Sequence, residues 1–178
     1  MYGVIYVAIK DYAEEQLGPE KWEAVLSQSG VTVDFTVTEQ PYNDTVTYKL
    51  AKAIAAATEQ SFTYILYNIG KQVILTTNKK FNNIMSSRGG TLREYLINLP
   101  NYHNRISLIY PELTPPEFRV SDTADSSLVL HYRKRHPEML PYVEGYVNGL
   151  ATIFNESVVI EPQPDTDTNT ELSYKISW

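Results

Sequence analysis

Along the N-terminal half of the chain, apolar residues recur every three or four positions, the spacing of helices that bury one face. Tyr2, Ile5, Tyr6, Ile9 and Tyr12 keep this spacing up to Gly18, which is placed to end the helix. Pro19 opens and Gly30 closes a second helical stretch, PEKWEAVLSQS. The segment VTVDFTVTEQ alternates, but between two helices it reads as an extended connector. A third helix follows Asn43-Asp44, as TVTYKLAKAIAAATEQ. Ser61 caps a fourth, FTYILYNIGKQVILTT, apolar on more than one face and so expected to lie between other helices. Gly89-Gly90 interrupts the pattern, and Thr91 caps LREYLINLPNYHNRISLIY. Its stripe runs Leu92, Leu96, Leu99, His103, Ile106 and Tyr110, with Pro100 predicting a kink.

After Pro115-Pro116 the period changes from helical to alternating. EFRVSD and SSLVLHYRKR read as strands joined by the turn DTAD. Pro137 starts a helix, EMLPYVEGYVNGLATIFN, and two strands close the chain, SVVIEPQ and ELSYKISW, linked by the polar run PDTDTNT. The expected fold class is α+β, a helical N-terminal half followed by a four-stranded antiparallel sheet interrupted by one helix.

Composition narrows the chemistry. The 178 residues suit a single domain with a real core. Zero cysteines exclude disulfides, thiolate metal sites and cysteine nucleophiles, leaving three histidines, His103, His131 and His136. A net charge of −6 argues against nucleic-acid binding. No apolar run reaches membrane-spanning length, and the start lacks a basic region and cleavage site, so the expected compartment is the cytoplasm. Tyrosine is abundant, with 14 copies against five phenylalanines.

His103 lies on an apolar stripe, where histidine is costly unless paired or ligating. Such a residue is either a satisfied core histidine or a metal ligand. No HxxxH or ExxH accompanies it, so a dedicated zinc or di-iron site is not expected, whereas haem needs only one protein ligand. The run Arg133-Lys134-Arg135-His136 beside Tyr132 is either a solvated strand end or a carboxylate-binding group. Tyr142 and Tyr146 fall on the apolar side of the last helix. There Gly145 and Gly149 permit close approach of something flat or of another helix. Hydrolase, phosphate-loop, dinucleotide and HExxH motifs are absent.

MYGVIY, GPEKW, NIGKQ, TLREYLINLPNYHNRISLIYPELTPPEFR, LVLHYRKR and PYVEGYVNGL occur in that order. Together they resemble the haem nitric oxide/oxygen-binding (H-NOX) domains, the family that includes the haem domain of soluble guanylate cyclase. The resemblance covers essentially the whole chain. It implies a single domain over 1–178, with a helical N-terminal lobe (about 1–60), a C-terminal lobe carrying the sheet (about 61–178), and b-type haem between them. His103 matches the proximal iron ligand, and Ile5 and Pro116 match the pair that distorts the macrocycle. Tyr142 matches the tyrosine that donates to dioxygen in the oxygen-binding branch, and Tyr146 lies where the last helix contacts the haem. Ile9 and Val73 stand where that branch can have tryptophan and asparagine. The family's propionate clamp, Tyr-x-Ser-x-Arg, is altered: Tyr132 is in place, Lys134 takes the serine position and His136 the arginine position, and a one-residue slide restores Arg135.

What the resemblance implies for function is a sensor and not an enzyme. Nitric oxide, or dioxygen or carbon monoxide, would bind the His103-ligated haem. Release of His103 would let the haem relax and the N-terminal lobe rotate, signalling to a histidine kinase, a diguanylate cyclase or a fused cyclase. Two rivals stand beside it: a haem-free interaction domain of the same fold, and a haem-dependent oxidase or peroxidase using His136.

Overall fold

The computed structural model describes residues 3–36, 44–109, 111, 117–133, 137–163 and 171–178. Seven α-helices and four strands are assigned among them, in two compact units. One comprises Met1–Lys80 with Glu138–Gly149, the other Phe81–Pro137 with Leu150–Trp178.

The first unit contains α1 (Gly3–Leu17), α2 (Pro19–Ser29), α3 (Asp44–Thr58), α4 (Phe62–Lys80) and most of α7 (Leu140–Phe154). Helix α2 begins with Pro19 and ends on Gly30, whose φ of 64° is the left-handed conformation that glycine adopts without strain. Residues 31–34 carry neither helix nor strand, 35–36 turn, and 37–40 of the expected connector lie outside the described residues. The core collects the predicted faces: Tyr6, Ile9, Trp22, Leu50, Ile54 and Ile69 are all essentially inaccessible to water. Each such side chain contributes about 1.5–3 kcal/mol by leaving water. Trp22 also meets Phe35 edge-on, ring centres 5.6 Å apart.

Helices α4 and α7 approach until their backbones touch. A Cβ on Gly70 would overlap the Tyr142 carbonyl, and one on Gly145 would overlap the Tyr67 carbonyl. A Cβ on Gly149 would lie 2.9 Å from the Lys71 carbonyl oxygen. Of the two occupants that the Gly145/Gly149 spacing admits, the structure selects a helix. Nothing flat fits against those glycines, because α4 already fills the space.

The second unit holds α5 (Asn82–Ser86), α6 (Leu92–Ile109) and the sheet of β1 (Phe118–Ser121), β2 (Ser127–Arg133), β3 (Val159–Pro162) and β4 (Glu171–Ser177). Helix α5 is too short to show a period, and the sequence pattern did not anticipate it. The sheet order is β1-β2-β4-β3, every pair antiparallel. Alternation sends Leu128, Leu130, Tyr132, Tyr174 and Ile176 to the buried side. The α+β expectation therefore holds.

The other face is polar. Arg133 pairs with Glu117 at 2.8 Å and Arg119 with Glu171 at 2.9 Å, both bridges exposed to solvent and so weakly stabilising. His131 is buried among them, its Nε2 2.7 Å from the Ser121 hydroxyl and its Nδ1 2.7 Å from that of Ser173. Burial, and then Arg119, hold this imidazole below its ordinary value of 6.5, against the opposing pull of Glu171 and Asp122. The unfolded chain thus binds the proton more readily than the folded one. This contribution to stability is complete above about pH 6.5 and is lost as pH falls below it. In urea titrations between about pH 7.5 and 5.5, His131→Gln is expected to flatten the decline seen in the parent. An equal slope in both proteins would assign the decline to other groups.

Candidate functional site

Helix α6 positions the first group. Its N-terminus is capped reciprocally. The Glu94 N–H donates to Thr91 Oγ1 at 3.2 Å, and the Gly90 N–H donates to Glu94 Oε2 at 2.7 Å. Pro100 sits inside the helix, which is assigned without a break from Leu92 to Ile109. Leu92, Tyr95, Leu96 and Leu99 form the buried face, and one turn further on the same side come Tyr102 and His103, both half-buried.

The His103 ring meets Phe118 of β1 edge-on at 5.2 Å and Tyr102 at 5.7 Å. Phe118 in turn lies 5.6 Å from Tyr132 of β2. Two of the predicted residues, His103 and Tyr132, are thereby linked through a third, Phe118, that sequence reasoning missed. Its signal was available: Phe118 alternates with Arg119 and faces the side that Tyr132 faces. Tyr132 is 4% exposed, whereas its neighbour Arg133 points to the polar face and is engaged by Glu117. Of the cation run, Arg133 is therefore not brought together with Tyr132. Lys134, Arg135, His136 and Pro116 lie outside the described residues.

The first unit gathers a second group. Ile5, Ile9, Val73 and Tyr142 belong to one cluster of buried residues, with Tyr146 packed against it. Tyr142 is 7% exposed, and Ile9 and Val73, which share its cluster, bring only hydrocarbon. Burial raises the carboxyl of Glu144, on the same helix, above its ordinary value.

Among the described residues no three His, Cys, Asp or Glu side chains gather to hold a metal ion. A single half-buried imidazole walled by aromatic rings suits a group that brings its own four nitrogens, which is what haem does. The donor chemistry fits. Among the described residues no helix is long and apolar enough to cross a membrane.

The architecture is that of the H-NOX domains. It matches the crystal structure of an oxygen-binding H-NOX domain related to soluble guanylate cyclases with a TM-score of 0.84 and 19% identity, over 99% of this chain and 94% of that one. The I5F mutant of the T. tengcongensis H-NOX matches with a TM-score of 0.85 and 17% identity, over 99% and 97%. The chain belongs to the Haem-NO-binding family, whose model matches residues 2–162. It is an H-NOX domain of the soluble guanylate cyclase type, in a family of haem-based gas sensors. The soluble guanylate cyclase gcy-31 of Caenorhabditis elegans is 31% identical over 163 residues, which are 90% of this chain and 23% of the cyclase. The human guanylate cyclase soluble subunit beta-2 is 30% identical over 95 residues, 53% of this chain and 15% of that subunit. The chain thus spans less than a third of these relatives.

Proposed function

We propose that this chain is a nitric-oxide sensor that holds b-type haem through His103 and reports the arrival of the gas to an effector protein. The observation that carries this reading is the imidazole of His103, half-buried on α6 against Phe118, in a chain of the Haem-NO-binding family. Bound haem would supply a ferrous iron able to take a diatomic gas. His103 would be the protein ligand of that iron and would tie the chemistry to α6. Ile5 and Pro116 would press on the macrocycle, Tyr146 would contact it, and Tyr132 with Arg135 or Lys134 would hold the propionates. The N-terminal lobe, about residues 1–60, would respond to release of His103. The energy comes from unequal affinity of the gas for the two arrangements. The chain senses in the cytoplasm without turning a substrate over. Its effector is a histidine kinase, a diguanylate cyclase or, as its relatives' names indicate, a guanylate cyclase.

Absorption spectra of the reduced, haem-loaded protein test this. Nitric oxide is expected to give a five-coordinate complex. A complex that stays six-coordinate counts against release of His103, and protein that stays colourless with added haem ends the proposal. Because Ile9 and Val73 stand where the oxygen-binding branch can have tryptophan and asparagine, dioxygen is expected to bind more weakly than nitric oxide. Tyr142→Phe then lowers dioxygen affinity by about tenfold, one charge-assisted hydrogen bond's worth, and leaves carbon monoxide unaffected.

A further inference from the structure

Arg88, in the short turn between α5 and α6, is 7% exposed, and among the described residues no carboxylate bridges it. A guanidinium withdrawn from water without a counter-charge is costly, and such an arrangement persists only where neighbours compensate or function demands it. The compensation here is aromatic. Its Cζ lies 3.2 Å from the centre of the Tyr102 ring and 5.4 Å from that of Tyr95, stacking contacts that suit a planar cation. One terminal nitrogen donates to the Tyr95 hydroxyl and contacts Met85 Sδ at 3.6 Å, while Nε finds no acceptor among the described residues. The backbone is secured as well, since Asn98 Nδ2 donates to the Arg88 carbonyl at 2.7 Å. Tyr95, Asn98 and Tyr102 share one face of α6 at helical spacing, so Arg88 grips two successive turns of that helix. Burial pushes the Tyr102 hydroxyl up, and the adjoining guanidinium opposes this.

The next residue is His103, whose ring centre lies 5.7 Å from that of Tyr102. The geometry points to Arg88 as a positioning residue for His103: it fixes the Tyr102 ring beside the imidazole and keeps an unneutralised positive charge behind it. This rests on His103 being the axial ligand of a haem. A fixed buried cation favours the less positively charged of two iron states, because low dielectric leaves its field poorly screened. Arg88 therefore biases the centre toward the reduced state, the one that binds nitric oxide, and does so without touching the gas or the iron.

The test is redox titration and resonance Raman of the haem-loaded protein with Arg88→Met, Arg88→Gln and Arg88→Lys. Met keeps the length and apolar stem, Gln keeps a donor for the Tyr95 hydroxyl, and Lys keeps the charge. In Met and Gln variants with full haem content, the oxidised-to-reduced ratio at the parent's midpoint is expected to rise about tenfold, a shift of about 59 mV toward negative potential for one electron. The iron–histidine stretching band moves with it, and the Lys variant recovers most of the shift. If Met fails to fold, Gln reads the same quantity. Unchanged potentials in the neutral variants overturn the inference, and so does a Lys variant as shifted as Met, because charge is then not the cause. Failure of the site itself looks different: the parent protein takes up no haem, or shows no iron–histidine band at all.

Discussion

Replacing His103 with glycine is expected to weaken haem binding at least tenfold, about 1.4 kcal/mol or more, and to remove the iron–histidine band from the reduced spectrum. Added imidazole restores both. The reason is the donor inventory: the chain has no cysteine, and the other described histidine, His131, has both ring nitrogens engaged by serine hydroxyls on the polar sheet face. Removing the His103 ring leaves a cavity beside Phe118 and Tyr102 into which free imidazole fits. Haem titration followed by the Soret band, with and without imidazole, decides the matter. A variant whose reduced spectrum matches the parent would show that the axial ligand lies elsewhere.

Gly145→Ala is expected to destabilise the fold by about 3 kcal/mol, the upper part of the usual range for overpacking. The sign makes this diagnostic. In an exposed helix interior, alanine is favoured over glycine by about 1 kcal/mol. Here the new methyl would overlap the Tyr67 carbonyl on the facing helix, so α4 and α7 must separate and loosen the packing of Ile69 and Val73. Gly149→Ala meets the Lys71 carbonyl oxygen at 2.9 Å and is expected to cost less. Gly30→Ala meets nothing within 4 Å, and its positive φ alone costs about 1–2 kcal/mol. Urea midpoints of the three variants should rank in that light. A Gly145→Ala protein as stable as the parent would mean that the two helices do not pack backbone to backbone.

The two tests probe features that were unequally visible in the chain. His103 stood out because an imidazole interrupted an apolar stripe of period three to four, and the motifs around it resembled one family. The helices with clear stripes and caps fell where the pattern put them: α2 between Pro19 and Gly30, α4 after Ser61, α6 after Thr91. The strands were legible from alternation, and the buried series of Leu128, Leu130 and Tyr132 follows it. Helix α5 escaped because five residues complete barely more than one turn.

Arg88 escaped for another reason. A charged residue in a polar stretch before Gly89-Gly90 has no local mark of burial. It becomes a core residue only because Tyr95 and Tyr102, two helical turns apart on α6, come to lie against it. Phe118 likewise became a neighbour of His103 only when β1 met α6. The glycines of α4 and α7 lie some 70 residues apart in the chain, and the spacing of Gly145 and Gly149 left open whether a helix or a flat ligand approached. The sequence by itself determined the α+β class, the order of the main elements, the lone imidazole and the family, because period, capping and ligand scarcity are local or compositional properties. The tertiary structure alone decided which rings surround His103, which helix fills the glycine face and where the Arg88 guanidinium is buried. Those facts depend on contacts between distant segments, and no local pattern encodes them.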